Sequence, residues 1–466
     1  MVKYNDMDVN LKKKAFRPNV FRPYDIRGLW PEELDHNSIE LIAAAFVDYL
    51  HRHDKGERIL VGRDLRSSSD EIAEVVINEL RNLGADVIDA GEVTTPLFTF
   101  AANLSEADGG LMVTASHDSI RYNGFKIYEE GRALSESTGL EEIKNIIESG
   151  NIVFKSEMRR GALEKKDFRE DYAKFIISKI NIPRPLKAVF DAGGGAVGVV
   201  LPVVLRNLKI WHYELGFLPD PALALRAPNP LMLSAQLDAR KEILKNHADA
   251  GFIFDPDGDR VLVLDENGDA VRPDAILWLF ASNFGRFGDA IVSDIRSSEF
   301  LFEDIENRGL RAIPSRVGHS FIKETMRENN AVFAGELSGH FYFRDFFYSE
   351  SAIFAALTVL ELIALKNKTL SELVRPFFQY FHSGEVNFIS NLKEYTLSAV
   401  EEKYKDGSKN YLDGITIRYP NWWFNLRPSG TEDLLRLVME AKSKSLFDEK
   451  REEIIGFLVS KGARLA

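Results

Sequence analysis

Short apolar runs alternate with amphipathic stretches along much of the chain, and their order predicts a mixed α/β protein. Three segments share one succession of elements: an apolar strand, an Asp with small or basic residues, an amphipathic helix, and a second short strand. They are RILVGRDLRSSSDEIAEVVINELRNLGADVIDAG from Arg58, LKAVFDAGGGAVGVVLPVVLRNLKIWHYEL from Leu186, and DAIVSDIRSSEFLFEDIENRGLRAIPSRVG from Asp289. Asp64-Leu65-Arg66-Ser67-Ser68 and Asp294-Ile295-Arg296-Ser297-Ser298 agree at four of five positions, and LRNL occurs at both 80–83 and 205–208. A strand, helix, strand unit builds mostly parallel sheets, so three related α/β domains are expected. After about residue 377 the pattern becomes GEVNFISNLKEYTLSAVEEKY…GITIRYPNWWFNLRPSG, which reads as a separate α+β domain. The expected divisions are 1–156, 157–261, 262–376 and 377–466.

Composition narrows the functional classes. A chain of 466 residues, 45% hydrophobic and 28% charged, can bury sizeable cores. Its formal net charge of −12 argues against sequence-blind binding to nucleic acid and against docking on an anionic membrane. There is no cysteine, which excludes disulfides and thiolate catalysis. The N-terminus has no apolar signal region, and no run of eighteen apolar residues occurs, so a cytoplasmic protein is expected.

The polar residues that interrupt the strand patterns carry the candidate chemistry. Thr114-Ala115-Ser116-His117-Asp118-Ser119 follows the apolar run GGLMV. Neighbours on extended backbone point to opposite faces, so His117 is not expected to reach Ser116 as its base. Asp255-Pro256-Asp257-Gly258-Asp259-Arg260 lies between two strand-like runs, AGFIF and VLVLDENG. Three carboxylates at alternate positions of a tight loop converge on a divalent cation, or form a solvated acidic turn; an EF-hand fails because Arg260 stands where glycine is needed. Arg427-Pro428-Ser429-Gly430-Thr431 offers a guanidinium, hydroxyls and an open backbone amide, which suit a phosphate dianion or an ordinary turn. Gly335-Glu336-Leu337-Ser338-Gly339-His340 suits a polyhydroxylated ligand or a polar turn. Gly193-Gly194-Gly195-Ala196-Val197-Gly198, with Glu214 21 residues after Gly193, fits a dinucleotide fingerprint, against the reading of structural glycines in one copy of a repeated turn. A serine beside a metal loop, with phosphate and sugar loops elsewhere, reads as a phosphoryl carrier.

Taken in order, FRPYDIRG at 21–28, TASH with YNGFK at 122–126, DPDGDR, GELSGH and RPSGTED make the chain resemble the α-D-phosphohexomutases over nearly its whole length. The resemblance implies four domains around a central cleft, three similar mixed α/β domains and a smaller C-terminal α+β domain. It implies an isomerase that interconverts hexose 1-phosphate and hexose 6-phosphate through phosphorylated Ser116 and a bisphosphorylated sugar. Mg²⁺ would be held by Asp255, Asp257, Asp259 and the Ser116 phosphate, with hexose 1,6-bisphosphate as activator. Arg27, His117, Lys126 and Arg260 would surround the phosphoserine, and Lys126 or a neighbour would handle the hydroxyl proton. His319 matches a suspected general acid or base. Arg296 stands where relatives often carry a lysine facing the substrate. Glu336, Ser338 and His340 would bind sugar hydroxyls, and Arg427, Ser429, Gly430 and Thr431 the phosphate that is not transferred. The implied partners are small hexose phosphates, with neither nucleic acid nor membrane, in a monomer or weak homodimer.

Departures accompany the resemblance. Asp118-Ser119 replaces the NP of the more usual TASHNP and puts a carboxylate near Ser116. LPDPALALRAPNP keeps only the ending of its segment, and YSES at 348–351 replaces a more acidic one. Leu337, where phosphoglucosamine mutases usually carry glutamine, favours mannose or glucose phosphates. The alternatives are a phosphoglucosamine mutase, a non-catalytic sugar-phosphate-binding member, and a nicotinamide-dependent oxidoreductase resting on Gly193 to Gly198.

Overall fold

The computed structural model describes residues 2–3, 16–154, 159–429 and 433–466. The chain forms two compact units, residues 1–270 with 339–370, and residues 271–338 with 371–466. No described helix is long and apolar enough to cross a membrane.

The first unit holds two of the sequence repeats. Strand Arg58–Arg63 lies between parallel neighbours Asp86–Glu92 and Gly109–Val113. Tyr122–Glu129 returns antiparallel beside Gly109–Val113. Leu163–Lys165 covers the far side of Asp86–Glu92. The helices His36–Arg52 and Ser69–Asn82 bury Phe46, Ile72 and Val76 in a core with Ile59, Val61 and Phe125 of the sheet. In the second sheet Leu186–Asp191 lies between parallel Ile210–Leu215 and Ala250–Phe254. Val261–Leu264 then pairs antiparallel with Ala250–Phe254, so this sheet continues beyond residue 261, where the sequence pattern placed a domain end. Helix Leu233–Asn246 packs Ala239 and Ile243 against Val189 and Ile253. The aromatic run at 341–348 supplies buried Phe341, Tyr342, Phe343 and Phe346, as core and hairpin rather than a cofactor pocket.

The second unit contains the third repeat, with Ala290–Asp294 between parallel Arg311–Ser315 and Phe333–Gly335. Its C-terminal part is an antiparallel sheet in which Trp422–Pro428 lies between Ile415–Tyr419 and Leu434–Ala441. That change from parallel to antiparallel pairing agrees with the altered pattern after residue 377.

This repetition positions the polar loops. The TASH, DPDGDR and GELSGH segments each follow the same strand of their copy, namely Gly109–Val113, Ala250–Phe254 and Phe333–Gly335. They are one loop in three copies. Each lies at the carboxyl end of a strand, where α/β sheets bind ligands.

Candidate active site

Ser116, three residues beyond strand Gly109–Val113, is in a left-handed conformation, φ +49°, a region that non-glycine residues enter only when neighbours hold them there. Arg66 provides the hold. Buried against Asp64, with Nε 3.1 Å from Oδ2, it donates to the carbonyls of Ser116 at 2.6 Å, Ser119 and Asp118 at 2.8 Å, and Tyr122 at 3.2 Å. The Ser116 amide donates to Thr114 Oγ1 at 2.9 Å. The turned backbone corrects the expectation for extended chain: Ser116 Oγ lies 3.2 Å from His117 Nδ1. Burial, with the positive charges of Arg260 and Arg27, holds the His117 imidazole well below its ordinary pKa, in the neutral form. Asp118 donates no free charge to this loop, because Arg27 binds it at 3.0 Å and binds Asp25 as well. Burial alone would lower the Arg27 pKa, but Asp25 and Asp118 outweigh it and raise it.

The metal loop stands against the same serine. Ser116 Oγ is 3.3 Å from Asp255 Oδ2, and Asp255, Asp257 and Asp259 offer oxygens all within 4.8 Å of one another, all buried. Burial and repulsion from Asp259 and Asp257 push Asp255 well above the usual carboxylate range. Asp259 is held well below that range: burial opposes its charge, but Lys126 and His340 outweigh it. Lys126 Nζ donates to Asp259 Oδ2 at 2.5 Å and Asp257 Oδ2 at 3.2 Å. Burial disfavours the ammonium, yet Asp257 and Asp259 raise its pKa well above normal. Asp257 Oδ1 has no hydrogen-bond partner among the described residues. Three buried hard oxygens with an unused lone pair fit a divalent cation. The loop is fixed from outside by Thr95, whose amide donates to the Asp257 carbonyl at 2.8 Å and whose hydroxyl donates to Asp257 Oδ2 at 2.7 Å. Thr95 begins helix Thr95–Leu104, so that helix's positive end also faces the carboxylate.

His340 joins this cluster. Its Nε2 lies 3.3 Å from Arg260 Nε and 3.3 Å from Asp259 Oδ1. Arg260 is also 3.5 Å from His117 Nε2, so one guanidinium spans the two imidazoles.

The other predicted residues belong to the second unit. Arg296 is buried in a bidentate pair with Asp294, and Asp294 Oδ2 also accepts the Leu337 amide at 3.0 Å. Glu336 accepts the Gly318 amide at 3.0 Å, next to His319 at the start of helix His319–Asn329. Arg296, Glu336 and His319 are thereby drawn to one group of loops, with half-buried Ser338 following in the same loop. Glu385 gathers three arginines, Arg296, Arg427 and Arg436, each at 3.1 Å. Burial opposes its charge, but Arg296, Arg436 and Arg427 hold its pKa below normal. Burial and the neighbouring Arg296 lower the Arg427 pKa, and its Nε has no hydrogen-bond partner among the described residues. Three guanidiniums around one carboxylate leave a surplus positive field suited to an anion. Ser429 is half-buried, its amide bonded to the Leu434 carbonyl at 2.8 Å; Gly430 and Thr431 lie outside the described residues.

Sequence reasoning missed Arg66, Thr95, Glu385 and Arg436. The repeated Asp-x-Arg was a usable signal for Arg66, and Arg436 sits directly across the strand pair from Arg427. The dinucleotide reading fails on packing. A methyl at Gly195 would lie 2.5 Å from the Pro256 carbonyl oxygen, and one at Gly198 2.4 Å from that of Phe217. These glycines admit neighbouring backbone, which supports the reading of structural glycines.

The sequence matches four family descriptions in succession. They are phosphoglucomutase/phosphomannomutase alpha/beta/alpha domain I over 18–152, domain II over 170–268, domain III over 272–381, and the C-terminal domain over 388–456. A phosphomannomutase of Methanocaldococcus jannaschii is 37% identical over 452 residues, covering 96% of this chain and 99% of that protein. A phosphomannomutase of Escherichia coli is 34% identical over 435 residues, covering 91% and 94%. The crystal structure of a phosphoglucomutase/phosphomannomutase family protein from Burkholderia thailandensis matches with a TM-score of 0.87 at 29% identity, covering 97% of this chain and 99% of that one.

Proposed function

The chain belongs to the phosphoglucomutase/phosphomannomutase family, and from that membership we propose that it interconverts the 1- and 6-phosphates of mannose or glucose by way of phosphorylated Ser116. The observation that carries this reading is the Ser116 hydroxyl 3.3 Å from Asp255 in a buried three-aspartate loop. In the first half-reaction the bond from Ser116 Oγ to phosphorus breaks as one forms to the free hydroxyl oxygen of a hexose monophosphate, whose proton ends on Ser116 Oγ, giving a bisphosphorylated sugar. In the second, the bond from a sugar oxygen to the other phosphate breaks as that phosphate returns to Ser116 Oγ, and the serine proton passes by way of neutral His117 Nδ1, 3.2 Å away, to the freed sugar oxygen. Asp255, Asp257 and Asp259 would hold Mg²⁺, which supplies charge neutralisation at the transferring phosphoryl group. Arg260, spanning His117 and His340, adds positive charge on the same side. Glu336, Ser338 and His340 select the sugar, and Arg427 with Arg296 binds the phosphate that stays. The test is phosphorus NMR of mannose 1-phosphate, and separately glucose 1-phosphate, with Mg²⁺ and a trace of hexose bisphosphate. A growing 6-phosphate signal supports the reading, and an unchanged spectrum with both sugars contradicts it.

A further inference from the structure

The three α/β copies treat one edge of their sheets differently. In each, a parallel strand lies outside the central one. In the first copy that strand, Asp86–Glu92, is covered by Leu163–Lys165. In the third it is Arg311–Ser315, whose sequence RAIPS carries a proline that denies an incoming strand one hydrogen bond. In the second it is Ile210–Leu215, IWHYEL, the terminal strand of its sheet, without proline or lysine. Trp211 on this strand is 71% exposed. A six-residue strand that is terminal in its sheet among the described residues, with an exposed tryptophan, is a template for another strand.

The side-chain order identifies the occupant. Reading outward from Tyr213, His212 is matched by Glu214 and Trp211 by Leu215. Antiparallel pairing of this strand with itself about a twofold axis at Tyr213 sets His212 opposite Glu214 of the second copy, and Trp211 opposite its Leu215. Both pairs occur twice. Shifting the pairing by one residue moves every side chain to the other face and loses the match. His212 and Glu214 already lie 3.2 Å apart within the chain, so the imidazole and the carboxylate that would meet are both at the edge. We propose that a second copy of this chain docks along Ile210–Leu215, continuing the two sheets into one across a twofold axis.

The absence of cysteine makes the register directly testable. Residue 213 would face its own counterpart at a Cα separation of about 4.5–5.5 Å, within disulfide reach, whereas residue 212 would be offset from its counterpart beyond that reach. Tyr213→Cys in the full chain, mildly oxidised, is expected to run on non-reducing gels at twice the 52.7 kDa chain mass, and His212→Cys to remain single. In sedimentation velocity of the native chain at tens of micromolar a dimer is expected; His212→Glu should weaken it about tenfold, and His212→Glu with Glu214→His should restore it. A native chain that stays monomeric, a His212→Cys crosslink equal to that of Tyr213→Cys, or an exchanged pair that fails to restore association would each overturn the proposal. Thermal melts of every variant establish that it is folded.

Discussion

Arg66 Nη2 donates to the carbonyl oxygen of Ser116 at 2.6 Å, and the remaining N–H groups of the same guanidinium are taken by Asp64 and three more carbonyls of the serine loop. Four of the five donors of one arginine are spent on the serine loop and the fifth on Asp64. Lysine cannot reproduce that fork. Arg66→Lys is expected to lower kcat about tenfold or more with little change in KM, and to destabilise the fold by roughly 2–4 kcal/mol, because buried carbonyls of the serine loop lose their donors. Steady-state kinetics and urea unfolding check both. Native kcat in the variant would show that the left-handed serine does not depend on Arg66.

The three-aspartate loop predicts opposite effects of substitution with and without metal. Asp257→Asn removes one of three mutually repelling buried carboxylates, so the metal-free variant should melt no lower than the native chain. Mg²⁺ at a hundredfold excess over its dissociation constant should stabilise the native chain by about 2.7 kcal/mol and the variant far less. Calorimetry with and without Mg²⁺ decides it, and an equal rise in Tm for both would contradict the assignment.

Glu385 predicts an anion-dependent stability. Glu385→Gln leaves Arg296, Arg427 and Arg436 facing one another, with an expected loss of roughly 2–3 kcal/mol. Inorganic phosphate should recover part of that loss in the variant, by replacing the missing negative charge. A melting temperature that phosphate leaves unchanged would count against an anion site there.

His382 predicts a loss of stability with acid. Its Nε2 donates to the Arg296 carbonyl at 2.8 Å and its Nδ1 accepts the Gly384 amide at 3.0 Å, so only the neutral ring satisfies both. Burial and the nearby Arg272 push its pKa down to about 4. The unfolded ring, near 6.5, takes up a proton that the folded one refuses. This contribution is absent above about pH 6.5 and grows as pH falls towards 4, reaching roughly 3 kcal/mol of destabilisation. His382→Gln should flatten the urea-measured stability over that window. An unaltered slope would show that other groups set it.

The hydrophobic pattern made the three α/β copies and the antiparallel C-terminal part legible, because strand, helix and strand lengths are local properties. It also marked the serine and aspartate loops, whose residues are consecutive. What it concealed are relations that need the folded chain. Ser116 meets His117 through a left-handed turn that no periodicity encodes, and Thr95 reaches Asp257 across 162 residues. Lys126, expected beside the phosphoserine, pairs with carboxylates that follow a strand of another sheet. Glu385, in an unremarkable SGEVNF string, becomes informative only when three distant arginines converge on it.

The central claim is that Ser116 carries the phosphate, and intact-protein mass spectrometry followed by peptide mapping tests it most directly. The chain would be incubated with glucose 1,6-bisphosphate and Mg²⁺, beside Ser116→Ala. The account predicts a gain of one phosphoryl group on Ser116 in the native chain, none in Ser116→Ala, and a fall in that variant's turnover of about a thousandfold or more. Turnover by the native chain with no phosphate on Ser116, or undiminished turnover by Ser116→Ala, would contradict it.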